Sequence, residues 1–469
     1  MSDLGEKCGV FGVYGEGLSA GRLTFFGLYA LQHRGQESSG IASSDGKEIY
    51  CHKKMGLVAQ VFAEKDIQKL QGHIAIGHNR YSTSKSSSVK HAQPVLIEDV
   101  GLTLVHNGNL PSTSALEQFL ASKNAVYKTL SDSEMIAEAV AILMREGMSL
   151  PQAVEKAFPL ITGAFSILMM DRTTLVAIRD PFGIRPLSMA TINNGGFVFS
   201  SETCAFNPIG AEFTREVKPG EMVVVDENGL HSVEVMPATQ KLDIFEFVYF
   251  ARPDSLLLGK SVYNFRRNCG TELASEAKFD VDVVIPVPET AVPVAIGYSK
   301  ATGVPLETGL IKNRYIHRTF IAPEQHVREQ GVKLKLTALP EVIRGKRVAV
   351  VDDSIVRGTT SKQIVQMIFE AGASEVNFLV SSPPVLFPDF YGIDTPLQKD
   401  LLAANMNIEE MRQFLGATRL HFLSYEGLIR ATELPEHLFC TSCFTGIYPL
   451  DIKERAKEIL PLASVIPFT

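Results

Sequence analysis

The sequence predicts two joined domains, a mixed α+β unit followed by an α/β unit built on a parallel sheet. Three observations carry this expectation. At 469 residues and 45% hydrophobic, the chain is long and apolar enough for two or three sizeable cores. Short β-like runs dominate up to about residue 235, and past residue 245 strand and helix alternate, as they do in parallel sheets. Segment 348–361 then reads as one unit: a buried apolar strand, the pair Asp352 and Asp353 at its end, and a Gly358-Thr359-Thr360-Ser361 turn opening a helix.

In the first half, strands are expected at 9–13, 74–76, 102–105 and 197–199, with helices around 25–31 and 133–145. The apolar stretch 157–170 is interrupted by Pro159, Thr162 and Gly163, so it reads as a buried strand or helix edge and falls short of a membrane span. Residues 236–243 carry Pro237, Thr239, Gln240 and Lys241 without a period and read as the linker. The expected domains are therefore 8–235 and 236–469, the second including a C-terminal extension. In that second half the expected elements are a strand at 281–286, a helix at 291–301, the strand–turn–helix unit 347–372 and a strand at 376–380. Ile364, Met367, Ile368 and Ala371 are spaced three, four and seven residues apart, so one face of the unit's helix can lie on the sheet.

A net charge of −7 argues against a sequence-independent nucleic-acid binder, and no basic run suggests a membrane surface. The first seven residues are polar and hold no secretory core. Six irregularly spaced cysteines make no disulfide framework. A soluble, cytoplasmic protein is expected.

The first half carries a constellation of side chains. Cys8 opens an alternating strand, where a lone cysteine is usually a small buried hydrophobe. Arg80 ends a strand and can clamp a carboxylate bidentately, or form a surface ion pair. Asn107 beside Gly108 offers an amide and a backbone N–H for an oxyanion, or an ordinary turn. Asp132 can fix an α-ammonium, or cap a helix. Arginine for carboxylate and aspartate for ammonium describe an amino-acid pocket, and the amide–glycine pair describes acyl transfer.

These residues resemble the class II glutamine amidotransferases, whose fold is the four-layer sandwich of N-terminal-nucleophile hydrolases. The resemblance implies that Cys8 attacks the side-chain amide of glutamine as the first residue of the mature chain. Its own α-amine, which titrates near neutrality, serves as the base. Residues 1–7 are then a leader, and removal of the leader is expected to switch the glutaminase on. Arg80 and Asp132 would hold glutamine, and Asn107 and Gly108 the oxyanion.

In the second half, Asp352 and Asp353 stand at the carboxyl end of a parallel strand, where open α/β sheets bind ligands. They can hold a ribose diol directly or through Mg²⁺, and the helix start that follows offers N–H groups and hydroxyls to a 5-phosphate. The segment resembles the type I phosphoribosyltransferases, which use phosphoribosyl pyrophosphate (PRPP). That resemblance places Ser354, Arg357, Gly358, Thr359 and Thr360 around the 5-phosphate. It places Thr290, with Asp352 and Asp353, at the Mg²⁺ site. The polar segment 317–336, with Arg318, Arg328, Lys333 and Lys335, corresponds to a loop that closes over PRPP.

Both halves together, with segments 31–40, 179–187, 249–255 and 312–315, resemble the amidophosphoribosyltransferase family. The resemblance implies that ammonia from glutamine travels inside the protein and displaces pyrophosphate from C1 of PRPP. The products are 5-phosphoribosylamine, glutamate and pyrophosphate, in the first committed step of purine synthesis. It also implies homotetramers or dimers, inhibition by purine nucleotides, and a glutaminase that quickens when PRPP is added. A salvage phosphoribosyltransferase, a non-catalytic PRPP-binding regulator and a class II amidotransferase for another acceptor would each account for one half only.

Cluster-bearing members of that family hold a [4Fe–4S] centre on four cysteines. Two of those positions are Cys440 and Cys443 here, and the other two fall on Asp243 and Asp389. Carboxylates substitute poorly for cluster thiolates, so no iron–sulfur cluster is expected. A two-Cys, two-Asp zinc site and a metal-free polar cluster both remain open. Cys51, Cys204 and Cys269 read as packing residues.

Overall fold

A computed structural model of the chain describes residues 8–81, 89–192, 195–313, 335–392 and 397–459. The expected leader and most of the expected loop 317–336 lie outside the described residues.

Strand Gly9–Tyr14 is central in an antiparallel seven-stranded sheet. The order is Glu212–Glu216, Ser188–Ile192, Gly196–Ser200, Gly9–Tyr14, Ile74–Arg80, Ser38–Ser44, Ile49–Met55. A second antiparallel sheet has the order Gly229–Glu234, Glu221–Asp226, Leu175–Arg179, Ala164–Met170, Leu102–Asn109, Val95–Ile97. Helix Ala20–Ala30 covers the first sheet and helix Asp132–Arg145 the second, giving four layers. Alternation along one strand serves two cores. Val10 packs between the sheets with Ile76, Val105 and Leu168, while Phe11 and Val13 turn outward to Leu28 of the helix. The helix comes so close that a Cβ on Gly27 would lie 2.5 Å from the Phe11 ring, which explains a glycine inside a helix despite its entropic cost.

The apolar stretch 157–170 resolves into the end of helix Leu150–Ala157, a short turn Phe158–Leu160 and the central strand Ala164–Met170. Segment 236–243 is not a free linker. The N–H groups of Thr239, Lys241 and Asp243 donate to the carbonyls of Pro181, Phe182 and Ile184, so the chain is laced along the first half. Its lack of period reflects pairing with a loop in place of a sheet.

The second half holds a parallel sheet of Val283–Pro286, Arg347–Asp352, Glu375–Val380 and Arg419–Phe422. Both faces are covered, which is why its strands are nearly unbroken apolar runs. Val348 and Val350 pack with Ile364 and Ile368 of helix Thr359–Glu370, and Ala349 and Val351 pack on the other side with Val294 and Tyr298. A two-residue parallel pairing of Leu242–Asp243 with Phe439–Cys440 ties the start of this half to its end. Cys204 and Cys269 are buried as expected, but Cys51 is exposed. It lies on the edge strand Ile49–Met55, which has no neighbouring strand beyond it. Among the described residues, no helix is long and apolar enough to cross a membrane.

Candidate active site

Register brings the first group together. Gly9 pairs with Asn79, so the half-buried Cys8 comes beside Arg80, and its thiol points to the Tyr81 carbonyl at 3.9 Å. Burial pushes the Cys8 thiol up, while the Tyr81 backbone and the Arg80 and Arg34 charges pull it down. A bond of 3.0 Å between His78 Nε2 and the His106 carbonyl joins the two sheets at this end, placing Asn107 and Gly108 nearby. Asn107 Nδ2 is buried and has no hydrogen-bond partner. Arg80 Nη1 is likewise a buried donor without a hydrogen bond, 3.9 Å from Glu37.

Asp132 is the first residue of helix Asp132–Arg145, whose cap is the neighbouring Ser131 in a reciprocal box with Glu134. The capping task that Asp132 could have served falls to Ser131. The Asp132 carboxylate accepts from Ser133 N at 2.7 Å and lies 3.9 Å from His106 Nδ1. Burial pulls the His106 imidazole below its ordinary value against the opposing Asp132 charge, and the ring shares Ser133 Oγ with Gln93.

The second group sits at the carboxyl end of the parallel sheet. Asp352 and Asp353 are both buried. The Asp353 carboxyl is pushed up to about 7 by burial and by Asp352 beside it. The Ser354 hydroxyl is spent on Asp353 Oδ1 at 2.9 Å, so it holds the acid pair. Arg357 is exposed, and Gly358 caps helix Thr359–Glu370 in the left-handed region (φ 76°) with no side-chain cap. Thr359 and Thr360 are the first two residues of that helix. Thr290 follows the neighbouring strand Val283–Pro286, beside a cavity of about 820 Å³ lined by Pro286, Glu289, Glu307, Lys312 and Thr337.

A third group lies between the halves. Arg185 is fully buried, donates to Asp243 Oδ2 at 2.9 Å and to the Tyr391 carbonyl, and lies 3.7 Å from Asp389 Oδ1. Asp243 and Asp389 also accept the N–H groups of Phe245 and Tyr391. Burial, reinforced by Asp243, pushes the Cys440 thiol up to about 12 and Cys443 well above its ordinary value. Cluster and zinc ligation both need thiolates. Two cysteines and two carboxylates committed to a guanidinium do not make the four-thiolate set that holds an iron–sulfur cluster. Among the described residues, no group of three or more His, Cys, Asp or Glu side chains could hold a metal ion.

Sequence reasoning gave no role to Arg34, Glu202, Glu246 or Arg185. All four are fully buried and ion-paired across long separations. Their only sequence signal is a charge placed within an otherwise apolar or glycine-rich segment.

Comparison with known proteins agrees with this geometry. The glutamine amidotransferase domain family matches residues 78–208. The amidophosphoribosyltransferase of Synechococcus elongatus is 48% identical over 97% of this chain and 93% of its own length. That of Bacillus subtilis is 44% identical over 98% and 97%. The solved structure of the B. subtilis glutamine PRPP amidotransferase, complexed with ADP and GMP, superposes with a TM-score of 0.88 at 43% identity, covering 95% of this chain and 98% of that one. A structure described as the allosteric regulatory enzyme of purine biosynthesis gives 0.89 at 42%, covering 98% and 100%. With this likeness along nearly its whole length, the chain belongs to the amidophosphoribosyltransferase family.

Proposed function

We propose that the two sites are the two halves of one reaction, divided between residues 8–235 and 236–469. The chain transfers the amide nitrogen of glutamine to PRPP, the first step of purine biosynthesis. The observation that carries the site assignment is a pair of buried donors that make no hydrogen bond among the described residues, Asn107 Nδ2 and Arg80 Nη1, the latter 3.9 Å from Glu37. A buried donor left unmade costs roughly 1–3 kcal/mol, so two at one place are kept for a ligand.

With the leader removed, the Cys8 amine takes the thiol proton, and the thiolate attacks the glutamine amide carbon. Arg80 holds the α-carboxylate and Asp132 the α-ammonium. Asn107 Nδ2 and the Gly108 N–H stabilise the oxyanion, ammonia leaves, and water hydrolyses the thioester to glutamate. Ammonia keeps its nucleophilic lone pair by staying inside the protein and attacks C1 of PRPP. Asp352 and Asp353 hold the ribose, while Gly358, Thr359 and Thr360 at the helix start hold the 5-phosphate, with Arg357 at its rim. Asp352, Asp353 and Thr290 suit Mg²⁺. A raised acid pair is a ready cation site, two carboxylates leave room for substrate oxygens, and the cation would neutralise the leaving pyrophosphate.

The reading extends to three further points. The chain carries no iron–sulfur cluster, because Arg185 occupies the carboxylates that stand where the cluster's cysteines would be. Purine nucleotides inhibit it, in keeping with the nucleotides in the B. subtilis structure. It assembles as a homotetramer or dimer.

The test is Cys8→Ala assayed with glutamine and, separately, with ammonium salt as nitrogen donor. Glutamine-dependent synthesis should fall by about a thousandfold or more and ammonia-dependent synthesis should persist. Retained glutamine use would refute the assignment.

A further inference from the structure

We infer that Glu246, from the second half of the chain, is a positioning residue for the glutaminase nucleophile and acts through Arg34. The inference rests on Cys8 being that nucleophile. Strand pairing begins at Gly9, so Cys8 itself is outside the ladder. What fixes its carbonyl is Arg34 Nε, which donates to Cys8 O at 3.1 Å. Fixing that carbonyl fixes rotation about the Cα–C bond, and with it the directions in which the amine and thiol leave Cα. That rotation aims the amine and thiol together at the bound substrate, so a loose carbonyl would misplace both at once.

The plane of the Arg34 guanidinium is set from its far side. Glu246 grips it with both oxygens, accepting from Nη1 and Nη2 at 3.0 Å each, while Glu202 accepts from Nη1 at 2.5 Å. All three side chains are fully buried. Glu202 is an anchor on both sides, accepting also from His33, from the Arg252 N–H at 2.8 Å and from Ser255 Oγ at 2.7 Å. Glu246 opens the single π-helical turn Glu246–Phe250, a geometry uncommon enough to mark a site. That turn is held by the buried Arg266, whose Nε and Nη2 donate to the Phe247 and Ala251 carbonyls at 3.0 and 2.8 Å. Cys8 is thus aimed by a fork whose handle belongs to the domain that consumes the ammonia.

The experiment is Glu246→Gln in the full, leader-free chain. The two buried arginines keep Glu202, Asp243 and Asp389 as counter-charges, so the fold can tolerate the loss of one carboxylate. The expected result is a glutaminase kcat about ten- to a hundredfold lower, since small misplacements cost that much. KM for glutamine should stay within about twofold, because Arg80 and Asp132 are untouched, and ammonia-driven synthesis should be normal. Arg34→Lys keeps the charge but loses the Nε donor and should give the same split. An unchanged kcat, a rise in KM alone, or a parallel fall in ammonia-driven synthesis in both variants would overturn the inference. Cys8→Ala separates the premise from the inference. If it keeps glutaminase activity the premise fails, and if it abolishes activity while Glu246→Gln does not, only the role of Glu246 falls.

Discussion

Asn107 and Asp353 are buried polar groups of opposite kinds, an amide donor and a raised acid. Asn107 Nδ2 is a donor with nothing to donate to. Asn107→Ala should therefore lower glutaminase kcat by about a hundred- to a thousandfold and leave ammonia-driven synthesis intact, as steady-state kinetics with each donor would show. Asp353 is an acid whose folded form holds its proton up to about pH 7, against about 3.9 in an unfolded chain. Since the folded state binds that proton more tightly, stability falls as pH rises between those two values. Asp353→Asn removes the cost of ionisation, so without Mg²⁺ it should stabilise the protein at pH 8 by roughly 2 kcal/mol and have little effect at pH 4. PRPP binding should be lost at both, and urea unfolding with calorimetric titration measures the two effects. Cys8, Arg80, Asn107, Asp132 and the acid pair could be singled out because each sits in a short run of distinctive neighbouring residues. Arg34 and Glu246 were not, because their meaning lies in a contact across 212 positions. Cys51 was misread because burial depends on whether its strand has a neighbour, which composition does not tell.

The strand pair Leu102–Asn109 and Ala164–Met170 shows what an element adds. Gly108 faces Phe165 in register, and a Cβ there would lie 1.9 Å from the Ala164 carbonyl, at a φ of 155°. Gly108 is therefore a residue that lets these strands close. Gly108→Ala should cost about 2 kcal/mol or more by prising the pair apart, and hydrogen exchange at Phe165 should quicken with it. The strand–turn–helix unit at 347–370 was readable because its strand is a buried apolar run and its helix has a clean 3.6-residue period. Segment 236–243 was not, since a chain paired to a loop carries neither period.

For the whole molecule, Arg185 is the common counter-ion of Asp243, Glu246 and Asp389. Arg185→Met would take its guanidinium away from buried Asp243 and Asp389, with Glu246 still held by Arg34, and should cost about 3–5 kcal/mol, read by thermal unfolding. Protein purified without air should contain no stoichiometric iron or zinc and keep its activity after exposure to oxygen. Elemental analysis and a timed assay check both. The two-domain plan was visible in the change of pattern along the chain, but the seam was not, because residues drawn from both halves build it. Asn109 Nδ2 donates to the Phe390 carbonyl, and a Cβ on Gly392 would come within 3.2 Å of the Gly108 carbonyl carbon. The order of synthesis then matters. Arg185 leaves the ribosome well before any of its carboxylate partners, Asp243, Glu246 and Asp389. The newborn amino-terminal half must wait with a cation it cannot bury. A chain ending at residue 235 should therefore be cut faster by protease than the full chain, and limited proteolysis of the two checks this.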